Sequence, residues 1–82
     1  MNELKVDAED KTTEFAVREA LQVIINNKSS KALNYCIEYA IAGLHMQGYV
    51  LRAQIPYVLN NMQHWRGDDA TAVRKILKEY VK

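Results

Sequence analysis

The sequence predicts an all-α fold, a compact bundle of about four helices with an N-terminal arm and a third helix kinked at Pro56. Three observations carry this. Apolar residues recur at helical spacing, as in Val17, Leu21 and Ile24, which stand at i, i+4 and i+7. Only three glycines and one proline interrupt 82 residues, so little in the composition opposes long helices. No stretch alternates apolar and polar residues as a half-buried strand does.

A chain of 82 residues makes a single domain with a small core. Residues 1–11 form an acidic arm, expected to be flexible, and residues 12–82 the helical domain. Assembly with further copies would offset the small core, so a homo-oligomer is expected. The lone cysteine, Cys36, excludes an internal disulfide and fits a reducing cytosol. The acidic N-terminus lacks the apolar segment of a signal peptide. No apolar run reaches the length of a membrane span, roughly 18 residues.

The net charge of +1 conceals an asymmetry. The arm holds Glu3, Asp7, Glu9 and Asp10 against Lys5 and Lys11, so the rest of the chain carries an excess of positive charge. That bias is too mild for a dedicated nucleic-acid binder but sufficient for a local anion site.

Helix one is expected from Glu14 to Asn26, with Thr12 or Thr13 as its N-cap. Val17, Leu21 and Ile24 form its core stripe, which Ala16, Ala20 and Val23 widen. Glu14 and Arg18 make a surface pair at i, i+4 worth a few tenths of a kcal/mol. The turn Asn26-Asn27-Lys28-Ser29 leads to Ser30, the expected cap of helix two, Lys31 to Gln47, which closes at Gly48. Its core face is Leu33, Cys36, Ile37, Ala40 and Leu44. A second apolar row, Tyr35, Tyr39, Ala42 and Met46, requires its own cover. Asn34, Glu38 and His45 form the wet edge.

Helix three is expected as one long element, Tyr49 to Gly67, with the core stripe Leu51, Ile55, Val58, Met62 and Trp65. Pro56 removes the N–H that would bond the Arg52 carbonyl, so a kink or break is predicted there. Gly67 stops this helix. Asp68 caps helix four, Asp69 to Val81, whose inner face is Ala70, Val73, Leu77 and Tyr80. Thr71, Arg74, Lys75, Lys78 and Lys82 make its basic flank.

The second half resembles a group of small proteins encoded in bacteriophages and prophages, functionally uncharacterised as a group. The likeness rests on Leu51-Arg52, on Tyr57-Val58-Leu59-Asn60-Asn61 and on Trp65-Arg66-Gly67, and covers about residues 31–80. Pro56 departs from the pattern, where an aliphatic residue is usual. The resemblance implies a phage origin, a place in the cytoplasm of the infected host bacterium, and a role against host defence.

The candidate chemistry lies on helix three. Gln54, Tyr57, Asn61 and His64 fall on one helical face, beside Arg52, Asn60 and Arg66. Arginines donate bidentate bonds to phosphate, and aromatic rings offer stacking planes to a base. Asn60 and Asn61, weak helix formers in mid-helix, suggest a compensating function. The leading expectation is therefore a non-enzymatic protein that sequesters a small anionic nucleotide. Arg52, Arg66 and Arg74 would hold phosphates; Tyr57, Asn61 and Trp65 would hold base or ribose, with His64 alongside. The alternative is a protein–protein inhibitor of a host enzyme or nuclease, using Tyr35, Tyr39 and Met46 as the interface. A third reading, weak non-specific nucleic-acid binding, would use the basic flank of helix four. No cofactor is implied. His45, His64 and Cys36 lack the spacing of a metal site, and no nucleophile or phosphate-loop motif is present.

Overall fold

The apolar stripes read from the sequence meet in one core of Val17, Leu21, Ile24, Leu33, Leu51, Ile55, Val58, Met62 and Leu77, all fully buried. The computed structural model describes the backbone of residues 2–82 and the side chains of residues 14–82. Four α-helices surround this core: α1 Asn2–Asn26, α2 Cys36–Leu44, α3 Gly48–Asn60 and α4 Asp68–Tyr80, with a 3₁₀ turn at Lys31–Leu33. α1 packs against α2 and α4, and α3 closes the ring against the same two. This is the all-α bundle the periodicity predicts. No strand occurs among the described residues. No described helix is long and apolar enough to cross a membrane.

α1 extends N-terminally beyond the expected start at Glu14. The acidic arm over residues 1–11 and the Thr12 and Thr13 caps concern side chains outside the described ones.

The second expected helix is shorter and later than predicted. Ser30 precedes a 3₁₀ turn without a side-chain capping bond, and α2 begins only at Cys36. Asn34 and Tyr35, two weak helix formers, fill the gap between turn and helix. α2 ends at Leu44, where His45 and Met46 donate their N–H groups to the carbonyls of Ala42 and Gly43. Gln47 is then extended, and Gly48 opens α3 at a φ of 60°. The glycine is a turn residue as expected, but it starts the next helix instead of closing the last.

The third helix is corrected at its far end. α3 runs through Pro56 and stops at Asn60, well short of Gly67. The proline does not break it. The end comes where Asn60 and Asn61, whose side chains compete for backbone bonds, follow one another. The Asn61 N–H bonds the carbonyls of Tyr57 and Val58, and its Nδ2 also donates to the Tyr57 carbonyl at 2.7 Å. Met62 and Trp65 continue as bonded turns. They still reach the core, with Trp65 only 6% exposed.

Gly67, not Asp68, is the N-cap of α4, and the Thr71 hydroxyl donates to the Gly67 carbonyl at 3.0 Å. Asp68 and Asp69 occupy the first turn, where negative charge complements the helix dipole. The inner face of α4 is Ala70, Val73 and Leu77, as the spacing predicts.

Candidate functional site

A groove of about 520 Å³ runs between α2 and α3, lined by Tyr35, Glu38, Tyr39, Ala42, Met46, Gln54 and Asn61. One wall is the second apolar row, Tyr35, Tyr39, Ala42 and Met46, carried by α2 and the residues that flank its two ends. The opposite wall comes from α3 and its C-terminal cap. Tyr57 of α3 stands beside the groove and stacks on Tyr39 of α2, the ring centroids 5.8 Å apart and the planes 9° from parallel. Offset stacking of this kind joins the helices while leaving aromatic surface in solvent. Tyr35 is 82% exposed and Tyr57 56%.

The polar groups of the groove are held from behind. Gln54 Nε2 donates to the Tyr39 carbonyl at 3.0 Å, across the helix pair. Asn61 Nδ2 donates to the Tyr57 carbonyl. A carbonyl only accepts, so these bonds fix which end of each amide is the NH₂ group. Glu38, exposed on α2, has no hydrogen-bond or salt-bridge partner among the described residues.

The residues expected to bind an anion lie in separate places. Tyr57 and Asn61 border the α2–α3 groove. Arg52 lies over the ring of Tyr80, its guanidinium 5.9 Å from the centroid, and donates to the Lys82 carbonyl at 2.9 Å. Arg74 donates from Nη2 to the carbonyls of Met62 and Trp65, at 3.1 and 2.9 Å. Trp65 is buried and offers no stacking plane to a ligand. His64 and Arg66 are exposed in the connection between α3 and α4. The helical row that would have aligned His64 with Tyr57 ends with α3. The Asn60–Asn61 pair terminates a helix instead of interrupting one, so it needs no functional compensation.

By contrast, the expected interface residues Tyr35, Tyr39 and Met46 share one surface. Two further residues, Glu38 and Gln54, join them in the lining. Glu38, read as part of the wet edge, lies three residues after Tyr35 and four before Ala42, so its helical spacing already placed it beside that row. Gln54 was visible as a polar residue of helix three, but its bond across to α2 had no local signal.

A second concavity, of about 400 Å³, lies between α3 and α4 and is lined by Pro56, Leu59, Asn60, Gln63, Arg74 and Lys78. Gln63 Nε2 donates to Asn60 Oδ1 at 3.1 Å. Arg74 and Lys78, one turn apart on α4, make its rim basic. Among the described residues, no group of three His, Cys, Asp or Glu side chains is placed to hold a metal ion. Comparison of the chain with protein-family models, with curated proteins and with solved structures found no match.

Proposed function

We propose that the chain is a non-enzymatic protein-binding module that engages a partner protein through the α2–α3 face. The observation that supports this best is the exposed tyrosine wall, Tyr35, Tyr39 and Tyr57, set around a groove with Met46 in its lining. Tyrosine and methionine are enriched where proteins dock; tyrosine buries much area at low entropic cost, and methionine adapts its shape to the partner. Tyr35 is so open that it contributes little to the core. The resemblance to phage-encoded helical proteins supports a partner belonging to the bacterial host, and an inhibitory role.

The test is affinity capture from a host lysate with the intact chain and with Tyr35→Ala and Tyr57→Ala. A partner, identified by mass spectrometry, should be retained by the parent and lost with either variant. Equal recovery by all three would reject the α2–α3 face. Light scattering adds a separate outcome: a homodimer that Tyr35→Ala converts to monomer would make the partner a second copy.

The α3–α4 cleft favours a second reading, capture of a small anionic nucleotide. Arg74 and Lys78 provide positive charge, and the Asn60 and Gln63 amides provide polar edges. Arg74 keeps Nη1 and Nε available beyond the Nη2 bonds to Met62 and Trp65. Calorimetry against cyclic dinucleotides and ADP-ribose addresses it directly: heat that disappears with Lys78→Ala supports it, and no heat sinks it.

A further inference from the structure

We propose that the α2–α3 groove receives a cationic side chain, specifically an arginine carried by the partner protein. The inference rests on the reading of this face as a protein-docking surface and adds the chemistry of what docks there.

Among the residues lining the groove, Glu38 carries the only formal charge, and no lysine or arginine is present. The Glu38 carboxylate is exposed and makes no bond to any described residue. The two amides point to the same class of ligand. Gln54 spends its NH₂ group on the Tyr39 carbonyl, and Asn61 spends its own on the Tyr57 carbonyl. Each NH₂ is thus committed to the backbone. Each amide oxygen, Gln54 Oε1 and Asn61 Oδ1, has no donor among the described residues. The groove therefore offers a carboxylate and two amide oxygens, which only accept, beside tyrosine hydroxyls, which can accept as well as donate.

The tyrosines add a second term of the same sign. An aromatic face carries negative quadrupolar potential and attracts a cation within about 6 Å of its centroid. The chain already uses this pairing once, where Arg52 lies over Tyr80. Tyr35 and Tyr57 present comparable rings to solvent. A guanidinium suits such a place better than an ammonium. It is planar, so it lies on a ring while its edge donates in a fork to a carboxylate. An anion would meet Glu38 and the amide oxygens with no cation to offset them. The expectation of an anionic nucleotide with its base or ribose on Tyr57 and Asn61 is thereby replaced, at this face, by one of a cation.

The experiment uses the intact chain labelled with nitrogen-15 and three short peptides: tetra-arginine, tetra-citrulline and tetra-glutamate. Citrulline keeps the shape of arginine and removes its charge. Tetra-arginine should shift the side-chain amide signals of Gln54 and Asn61 and the backbone signals of Tyr35 and Tyr39, while the other two should not. Glu38→Gln should weaken the tetra-arginine affinity about threefold to fivefold, the scale of an exposed charge pair. Glu38 is exposed and unbonded, so the variant retains the fold. Equal response to citrulline, shifts centred away from the α2–α3 groove, unchanged affinity in Glu38→Gln, or no response to tetra-arginine would each overturn the inference. If lysate capture still depends on Tyr35 in that event, the docking face stands and only its preference for arginine falls. If tetra-arginine binds the groove but capture ignores Tyr35 and Tyr57, the docking reading fails instead.

Discussion

Arg74 reaches back from α4 to the carbonyl of Trp65, 2.9 Å away, and shares the same nitrogen with the carbonyl of Met62. The two carbonyls belong to the connection after α3; the Met62 carbonyl also accepts the Trp65 N–H at 3.1 Å, whereas Arg74 is the donor to the Trp65 carbonyl. A guanidinium half-buried in that position acts as an external cap for the turn between α3 and α4. It also holds the turn that carries Trp65 into the core.

Removing the Arg74 cap should therefore be costly for a residue on the rim of the protein. Arg74→Leu keeps the aliphatic stem but leaves the Trp65 carbonyl without its donor and the Met62 carbonyl with only the Trp65 N–H. We expect a loss of about 1–3 kcal/mol in urea unfolding, the range for hydrogen bonds from a charged donor. Arg74→Lys should recover only part of this, because one ammonium cannot reproduce the planar fork. A loss below about 0.5 kcal/mol, the usual scale of a surface change, would show that the cap is not used.

Glu14 plays a similar part at the other end of α3. Its Oε1 pairs with Arg18 Nη2 at 3.0 Å, and its Oε2 accepts the Gly48 N–H at 3.0 Å. Arg18 in turn donates to the Met46 carbonyl at 3.0 Å. The pair is thus a clamp on the α2–α3 connection, and its carboxylate meets the positive end of the α3 dipole. Glu14→Ala should lower stability by about 1 kcal/mol, as loss of an N-cap does, and more than Arg18→Ala lowers it if the cap dominates the ion pair. Thermal unfolding of the two single variants and the double variant separates these contributions; additivity would refute the clamp.

These two residues show where the sequence was legible and where it was not. The periodicity of Val17, Leu21 and Ile24, or of Leu51, Ile55 and Val58, reports burial because a helix places those positions on one side whatever surrounds it. The apolar row from Tyr35 to Met46 was legible for the same reason, and it lines the groove. Helix ends were less legible. Gly67 was a plain breaking signal, but Asn60-Asn61 was read as a functional feature in mid-helix, because the continuing stripe through Met62 and Trp65 argued for helix beyond it. Those two residues reach the core from turns, which the period alone cannot distinguish from helix. Least legible were bonds between distant residues. Glu14 and Arg18 satisfy the local i, i+4 pattern completely, so nothing nearby in sequence discloses Gly48 or Met46 as their further partners. Arg74 likewise read as a free cation because its carbonyl partners lie 9 and 12 positions earlier.

Gly67 makes a sharper stability prediction. Its φ of 114° and ψ of −179° lie in a region essentially confined to glycine. Its carbonyl accepts from the Thr71 N–H and hydroxyl, so the residue cannot rotate away without opening the start of α4. Gly67→Ala should cost about 1–3 kcal/mol, the strain of forcing a side chain into that conformation. Chemical denaturation would expose the error in this account if the variant matched the parent.

Cys36 supplies a prediction that depends on pH. It begins α2 fully buried, with its Sγ 3.5 Å from the Val58 carbonyl of α3. Burial pushes the thiol up from 9.0 to about 11, because the thiolate would lose its hydration. The folded chain therefore keeps the proton through a range in which the unfolded chain releases it. The raised value leaves the thiol's contribution intact below pH 9, and that contribution is lost progressively as pH rises from 9 through about 11. Cys36→Ala should flatten this part of the stability profile while lowering stability at neutral pH through the cavity it leaves. The same protection makes the thiol slow to react. At pH 8 a disulfide reagent such as dithionitrobenzoate should label the native chain only as fast as it opens, and the urea-unfolded chain at once. Rapid labelling of the native protein would mean that the α2–α3 contact around Cys36 is open in solution. The groove built on that contact would then lose its rigid floor.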